Sequence, residues 1–319
     1  MTRLLHVDDL RAARARVGDH VRHTPTLPAR SLGTELGVDV WVKAELLQRT
    51  GAFKVRGALN TLLSLSGEEL RHGVVTLSAG NHAAALACGA AVVGTHATVV
   101  MPQHAAQVKI EATKRYGGTV VLTDRPLIDV VHDIVDRDGS LVVHPFDDPR
   151  IIAGAGGVGL EMFADAPPLD LVVVPVGGGG LISGVAVAAR ALSPATRIIG
   201  VEPVGANGMT LALAAGAPVS ITPQSVADGL AAPFAGVHTL AHVQALVDEV
   251  VTIDDAAIAP AMRTLYERTK LTVEPAAATG LAALLCGAVT AEPGTRVGLV
   301  LTGGNVDLDR LPSLLGAGA

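Results

Sequence analysis

From Val38 onward the chain alternates short β-branched runs with longer Ala-rich stretches. Runs at 38–42, 73–77, 97–101, 119–122, 141–143, 171–174, 197–201 and 296–301 have the length and residue types of strands. The stretches between them, such as 105–116 and 181–192, have helical length and composition. Most of the runs are apolar throughout rather than alternating, which marks strands covered on both faces and predicts parallel sheets flanked by helices, an α/β fold. Eight strands exceed what one compact sheet of this kind usually takes. No repeat, low-complexity segment or long linker marks a boundary, so a second domain is expected to be inserted within the first rather than appended to it.

In open α/β sheets ligands bind beyond the carboxyl ends of the strands. Three predicted strands end in conspicuous turns: Ser78-Ala79-Gly80-Asn81-His82, Gly177-Gly178-Gly179-Gly180-Leu181 and Thr302-Gly303-Gly304-Asn305. A fourth polar turn, Thr50-Gly51-Ala52-Phe53-Lys54, leads into its own helix. The tetraglycine turn brings unhindered backbone N–H groups to a helix start, a cradle for a phosphate. It lacks the Lys-Ser/Thr ending of a Walker loop, and its spacing does not match the dinucleotide fingerprint. Tight helix–strand packing is the alternative use of those glycines. The Ser78–His82 turn offers a hydroxyl, an amide and exposed N–H groups for a carboxylate; its bland alternative is an ordinary helix cap by Asn81 or Ser78.

Composition sharpens the choice among lysines. Only five occur (Lys43, Lys54, Lys109, Lys114, Lys270) among 24 Lys plus Arg, so Arg meets nearly every ordinary need for positive charge. A surface cation could be either residue, whereas a Schiff-base nucleophile requires an amine that can lose its proton. Lys54, at the start of an apolar helix beside a polar turn, is the candidate. The net charge of -6 and the absence of basic runs exclude a nucleic-acid backbone as partner, and 2% aromatics leave no stacking platform. The two cysteines, Cys88 and Cys286, read as buried free thiols of a reducing compartment, and no zinc-type ligand spacing occurs. The first ten residues are too polar for a signal peptide and no stretch reads as a membrane span, so a cytoplasmic protein with a small-molecule substrate is expected.

An activatable amine, a phosphate cradle without nucleotide chemistry, a carboxylate site and a hydroxyl-bearing turn together fit pyridoxal 5'-phosphate plus an amino acid. On these residues, with His23-Thr24-Pro25, Ala227-Asp228-Gly229 and Val273-Glu274-Pro275 in the same order, the chain resembles the fold-type II pyridoxal-phosphate enzymes, specifically the threonine/serine dehydratase and serine racemase group. The resemblance implies a two-domain, tryptophan synthase β-like α/β fold. Residues 1–73 and 151–319 would form a large cofactor domain, and 74–150 a small inserted domain closing over the substrate. It also implies a homodimer.

By that resemblance Lys54 would hold the cofactor and act as the catalytic base, Phe53 would pack on the ring, and Asn81 would bond the ring hydroxyl. Gly177, Gly178, Gly179, Gly180 and Leu181 would bind the phosphate, and Thr302, where the family commonly has Ser, would face the pyridine nitrogen. Ser78, Ala79, Gly80, Asn81 and His82 would hold the substrate carboxylate. The implied reaction is loss of the β-hydroxyl from threonine, serine or another 3-hydroxy amino acid, giving a 2-keto acid and ammonia. Racemases of the group carry a second Ser where this chain has Ala79, which favours dehydration over racemisation. The chain ends soon after Thr302, so no C-terminal regulatory domain is expected.

Several positions depart from the pattern. Ala52 stands in place of a usual Ser, and Ala155 and Gly157 in place of a usual Gln and Thr. Gly208 stands where an acidic ligand would complete a cation site with Glu202 and Ala206, so no metal is assigned. Segment 144–149 is expected to be structural, and Glu274 could either line the site or cap the following helix. A racemase or β-replacement enzyme, a 3-hydroxyaspartate dehydratase, and a silent cofactor- or amino-acid-binding protein remain as alternatives, with a dinucleotide-binding protein a weaker one.

Overall fold

A computed structural model describes residues 2–316. Ten strands are present among them: β1 (Thr26–Pro28), β2 (Asp39–Ala44), β3 (Val74–Leu77), β4 (Ala97–Pro102), β5 (Thr119–Thr123), β6 (Leu141–Val142), β7 (Leu171–Pro175), β8 (Arg197–Pro203), β9 (Glu249–Ile253) and β10 (Arg296–Leu301). They form a six-stranded sheet in the order β1-β2-β10-β7-β8-β9 and a four-stranded sheet in the order β5-β4-β3-β6. The smaller sheet falls, in sequence, between β2 and β7 of the larger.

Every pairing is parallel except β1 with β2, which is antiparallel. The two strands that the hydrophobic pattern did not announce, β1 and β9, are the two edges of the larger sheet. Edge strands are less enclosed. β1 is three residues long and ends in a proline, as an edge allows, and β9 is mostly half-buried with a charged first residue. The central strand β7, by contrast, is buried at all five positions.

Register decides where the site must lie. β10 runs beside β2 from Arg296 opposite Asp39 to Leu301 opposite Ala44, and beside β7 with Leu299 opposite Val173. The turns that follow β2, β7 and β10 therefore emerge at one end of one sheet. The helix Lys54–Leu63 packs against both Asn81–Val93 and Pro149–Ala155. Its crossing with the second is close, since a Cβ on Gly154 would lie 2.5 Å from the Arg56 carbonyl oxygen.

Behind that helix lies a buried ionic cluster. Arg56 donates to both oxygens of Glu45 at 2.8 and 2.9 Å and to both oxygens of Glu161 at 2.8 and 2.7 Å. Lys43, fully enclosed, donates to Glu161 at 2.9 Å and to the Thr24 carbonyl at 2.6 Å. The cluster ties β2, the Lys54 helix and the helix Gly157–Asp165 together.

Of the two thiols, Cys88 is buried as expected, but Cys286 is exposed. It caps the end of the helix Pro275–Leu285 rather than lying within it. Among the described residues no helix is long and apolar enough to cross a membrane.

Candidate active site

Lys54 is the first residue of its helix, so its side chain leaves the backbone at the sheet end where the turns meet. The turn is pinned to β10 by main-chain contacts: Phe53 N–H donates to the Thr302 carbonyl at 3.1 Å, Gly304 N–H to the Gly51 carbonyl at 2.9 Å, and Ala52 bridges Gly303. Ala52 is fully buried against Gly303, which accounts for a small residue there. The Lys54 amine donates to the Pro145 carbonyl at 2.9 Å and lies 5.3 Å from the centre of the Phe53 ring. Burial lowers its pKa from 10.5 to about 8, against the opposing pull of Glu274. The free base is thus accessible near neutral pH, as a nucleophile or base requires.

The tetraglycine turn joins β7 to the helix Gly180–Leu192, and Gly179, at φ +91, is its N-cap. Among the described residues no protein acceptor takes the backbone N–H groups of Gly177, Gly178, Gly179, Gly180 or Leu181. Uncapped amides at a helix start attract an anion. The packing alternative also holds: a Cβ on Gly178 would enter the Phe146 ring, and one on Gly179 would come within 2.5 Å of Met209 Cε. The glycines let the backbone come close to its neighbours while leaving its amides free.

The Ser78–His82 turn links β3 to the helix Asn81–Val93. Neither Ser78 nor Asn81 caps that helix: the N-cap is Gly80, with no side-chain cap. Ser78 Oγ accepts from the Gly80 amide at 3.2 Å, while the Asn81 and His82 amides have no protein acceptor among the described residues. The His82 ring is buried, with Nε2 3.4 Å from the Val143 carbonyl. Burial, with the charge of Lys54 beside it, drives its pKa down to about 3. His82 therefore offers an anion its backbone amide, not a charged ring. Asn81 donates to Glu274 Oε1 at 2.8 Å and accepts from Asn305 at 2.8 Å.

Thr302 follows the last residue of β10 directly. Its hydroxyl is buried and has no hydrogen-bond partner among the described residues. A buried, unpaired hydroxyl is costly and calls for a reason. Glu274, left undecided by sequence, occupies the N-cap position of the helix Pro275–Leu285, but its side chain makes no capping hydrogen bond and turns to the site instead. Its carboxyl lies against Gly303 and Asn81, and burial, then the nearby Asp228, raises its pKa to about 7.

Sequence reasoning underrated the segment 144–148. Beyond the Pro145 contact to Lys54, Phe146 lies over the glycine turn and meets Phe234 edge-on at 5.5 Å. Asp147 accepts from the amides of Val237, His238 and Thr239 at 3.0, 2.8 and 3.2 Å, capping a helix whose Thr239 hydroxyl donates to the Gly178 carbonyl at 2.7 Å. Three of the four phenylalanines (Phe53, Phe146 and Phe234) are thus gathered here, a signal available from their scarcity. Two of the departures lie behind this site: Ala155 is in a buried apolar cluster, and Gly157 faces Arg56 and Arg14. Glu202 accepts from the amides of Met209 and Thr210, both at 2.8 Å, and from the Thr210 hydroxyl at 2.7 Å.

An amine of lowered pKa, free amides at two helix starts and an unpaired hydroxyl at the end of a central strand are groups that a phosphorylated aldehyde would use, and the residues present fit pyridoxal phosphate. The family model of the pyridoxal-phosphate dependent enzymes matches residues 17–303, and the chain belongs to that family. It is thus a pyridoxal-phosphate-dependent enzyme with the fold-type II architecture. Among its relatives, an L-threonine ammonia-lyase of Geobacter sulfurreducens is 44% identical over 300 residues, 92% of this chain and 74% of the relative. An L-threo-3-hydroxyaspartate ammonia-lyase of Saccharomyces cerevisiae is 39% identical over 311 residues, 96% and 95% of the two chains. The structure of maize serine racemase superimposes with a TM-score of 0.92 at 38% identity, covering 98% of this chain and 97% of that one.

Proposed function

We propose that this chain removes water from a 3-hydroxy amino acid such as threonine or serine, releasing a 2-keto acid and ammonia. When bound, pyridoxal phosphate supplies an aldehyde for the amino group and a sink for the electrons of the Cα–H bond. The chain's own part is proton management and orientation. Lys54, free as a base near pH 8, takes the α-proton; the electron pair forms the Cα=Cβ bond, the Cβ–O bond breaks, and the oxygen leaves as water once protonated; the released enamine tautomerises to an imine, and a water molecule adds to its carbon to give the 2-keto acid and expel ammonia. The unpaired Asn81 and His82 amides orient the substrate carboxylate, and those of Gly177 to Leu181 hold the phosphate. Thr302, whose buried hydroxyl has no protein partner among the described residues, would supply a neutral group to the ring nitrogen.

One observation carries the choice of elimination: Ala79 stands where the racemases that the chain resembles carry a second Ser. Lys54 is an amine able to cycle its proton near neutrality, whereas Ala79 has no exchangeable hydrogen and the His82 ring is neutral and turned to a backbone carbonyl. Inversion at Cα needs a proton donor on each face. Racemisation stands as the second reading, favoured by the likeness to maize serine racemase. In the same reading, residues 74–150 close over a large unit of 1–73 and 151–319, of which residues 1 and 317–319 lie outside the described structure. The reading carries with it a cytoplasmic homodimer, which sedimentation and cell fractionation test.

The deciding experiment incubates the cofactor-loaded protein with L-threonine, L-serine and threo-3-hydroxyaspartate and measures keto acid, ammonia and the enantiomer of the remaining substrate. Keto acid without inversion is expected. Inversion outpacing keto-acid release would assign a racemase. Borohydride reduction followed by peptide mapping should place the adduct on Lys54.

A further inference from the structure

A chain of amides and one carboxyl runs round the site. The Thr50 carbonyl, which can only accept, takes a hydrogen from Asn305 Nδ2 at 2.8 Å. That nitrogen gives its other hydrogen to Asn81 Oδ1 at 2.8 Å, and Asn81 Nδ2 in turn donates to Glu274 Oε1 at 2.8 Å. Each link fixes the next. Reversing the Asn81 amide would set its carbonyl against the Glu274 oxygen and its NH2 against that of Asn305. The Asn81 oxygen already has its donor, so what the amide offers the site is its second N–H, a donor.

We infer that Glu274 is a positioning residue: with Thr50 and Asn305 it locks Asn81 as a hydrogen-bond donor, so that the site takes the cofactor's ring oxygen as an anionic acceptor. This rests on the pyridoxal-phosphate reading of the site. The geometry suits the task. Glu274 is 5% exposed, its carboxyl lies beside Gly303, and its own N–H donates to the Gly303 carbonyl at 3.1 Å, so it is held from both ends next to Thr302. Unlike Ser78 or Lys54, it needs no direct contact with substrate to act.

The test uses full-length protein titrated with pyridoxal phosphate and read by near-ultraviolet and visible absorption. Glu274→Leu removes the terminal acceptor. It should raise the cofactor dissociation constant about tenfold, the size of one hydrogen bond. It should also shift intensity from the long-wavelength band of the ring anion to the short-wavelength band of the neutral phenol. In an Asn81→Ala background the same change should alter either readout by less than about twofold, because the residue through which it acts is gone. Glu274→Gln keeps a carbonyl acceptor and should retain most of the long-wavelength band. Asn305→Ala, at an exposed position, should give a smaller shift in the same direction and serves if the buried substitutions do not fold. Equal losses with and without Asn81, or an unchanged band ratio in Glu274→Leu and Asn305→Ala, overturn the inference. Wild-type protein that forms no adduct at Lys54 sinks the underlying reading, and this inference with it; wild-type protein that binds normally alongside insensitive variants sinks only this one.

Discussion

Glu161→Gln tests the ionic cluster behind the Lys54 helix. Glu161 receives Lys43 and both terminal nitrogens of Arg56, with Arg14 Nε at 3.2 Å, and its side chain is 3% exposed. Burial pushes its pKa up, but the Arg56 hydrogen bonds and the Arg56 and Lys43 charges more than offset this and hold it at about 2, against 4.5 unperturbed. That shift corresponds to about 3 kcal/mol. Removing one partner of a buried pair gives the same range by a separate route, about 3–5 kcal/mol, because Arg56 would be left with Glu45 and Lys43 with the more distant Asp165 at 4.0 Å. A depressed carboxyl pKa stabilises the fold above the unfolded value, near 4.5, and that stability is lost as the pH falls through the folded value, near 2. Urea titrations followed by the fluorescence of the single tryptophan, Trp41, on the same strand as Lys43, read the effect. The difference between wild type and Glu161→Gln should be about 3 kcal/mol at pH 7 and less than about half of that at pH 3. A difference below about 1 kcal/mol at pH 7, or one that grows on acidification, would refute the account.

Thr302→Val replaces an unpaired buried hydroxyl with an isosteric methyl. The cofactor-free protein should melt at the same temperature or slightly higher, while cofactor affinity falls about tenfold; calorimetry with and without pyridoxal phosphate separates the two. Gly178→Ala puts a methyl into the Phe146 ring and should cost about 1–3 kcal/mol with weakened cofactor binding, and a second change, Phe146→Leu, should recover part of the stability in thermal melts. Because Lys54 titrates near 8, cofactor-free protein should react with pyridoxal phosphate about fivefold faster at pH 8 than at pH 7 and level off above pH 9. A rate still climbing tenfold per pH unit above 9 would return Lys54 to an ordinary lysine.

The parts of this molecule that were legible in sequence are those where one residue type had no substitute. Eight strands were visible because continuous β-branched runs mark burial on both faces, and the strands left unread, Thr26–Pro28 and Glu249–Ile253, are the half-covered edges where that pressure relaxes. Lys54 stood out because lysines are few in a chain that meets most needs for positive charge with Arg. The glycine turn stood out because a Cβ at Gly178 or Gly179 meets its neighbours. What stayed hidden depends on long-range pairing. Nothing local announces that the Pro145 carbonyl will meet Lys54, that Asp147 will cap a helix ninety residues on, or that Glu274 will face Asn81 across 193 residues. Cys286 was misread because an apolar helix says nothing about which residue falls at its exposed end.

The two helices that begin at the site settle how amine and carboxylate turn are held relative to each other. Lys54 and Asn81 each open a helix, and the two helices pack along their length. Leu59 and Ala85 share one buried cluster, and a Cβ on Gly89 would come within 2.7 Å of Leu62 Cδ1. An error of an ångström at either helix start would therefore have to be carried through a close-packed interface, which resists it. The glycine turn and Thr302, in contrast, are set by the register of β7 and β10 in the larger sheet. The Ser78–His82 turn is thus aligned with the Lys54 amine by helix packing, and the glycine turn with Thr302 by strand pairing. The turn from Thr50 to Lys54 touches both systems, bonded through Phe53 to Thr302 and through Asn305 to Asn81. That shared turn joins the two alignments, and Lys54 lies at its end.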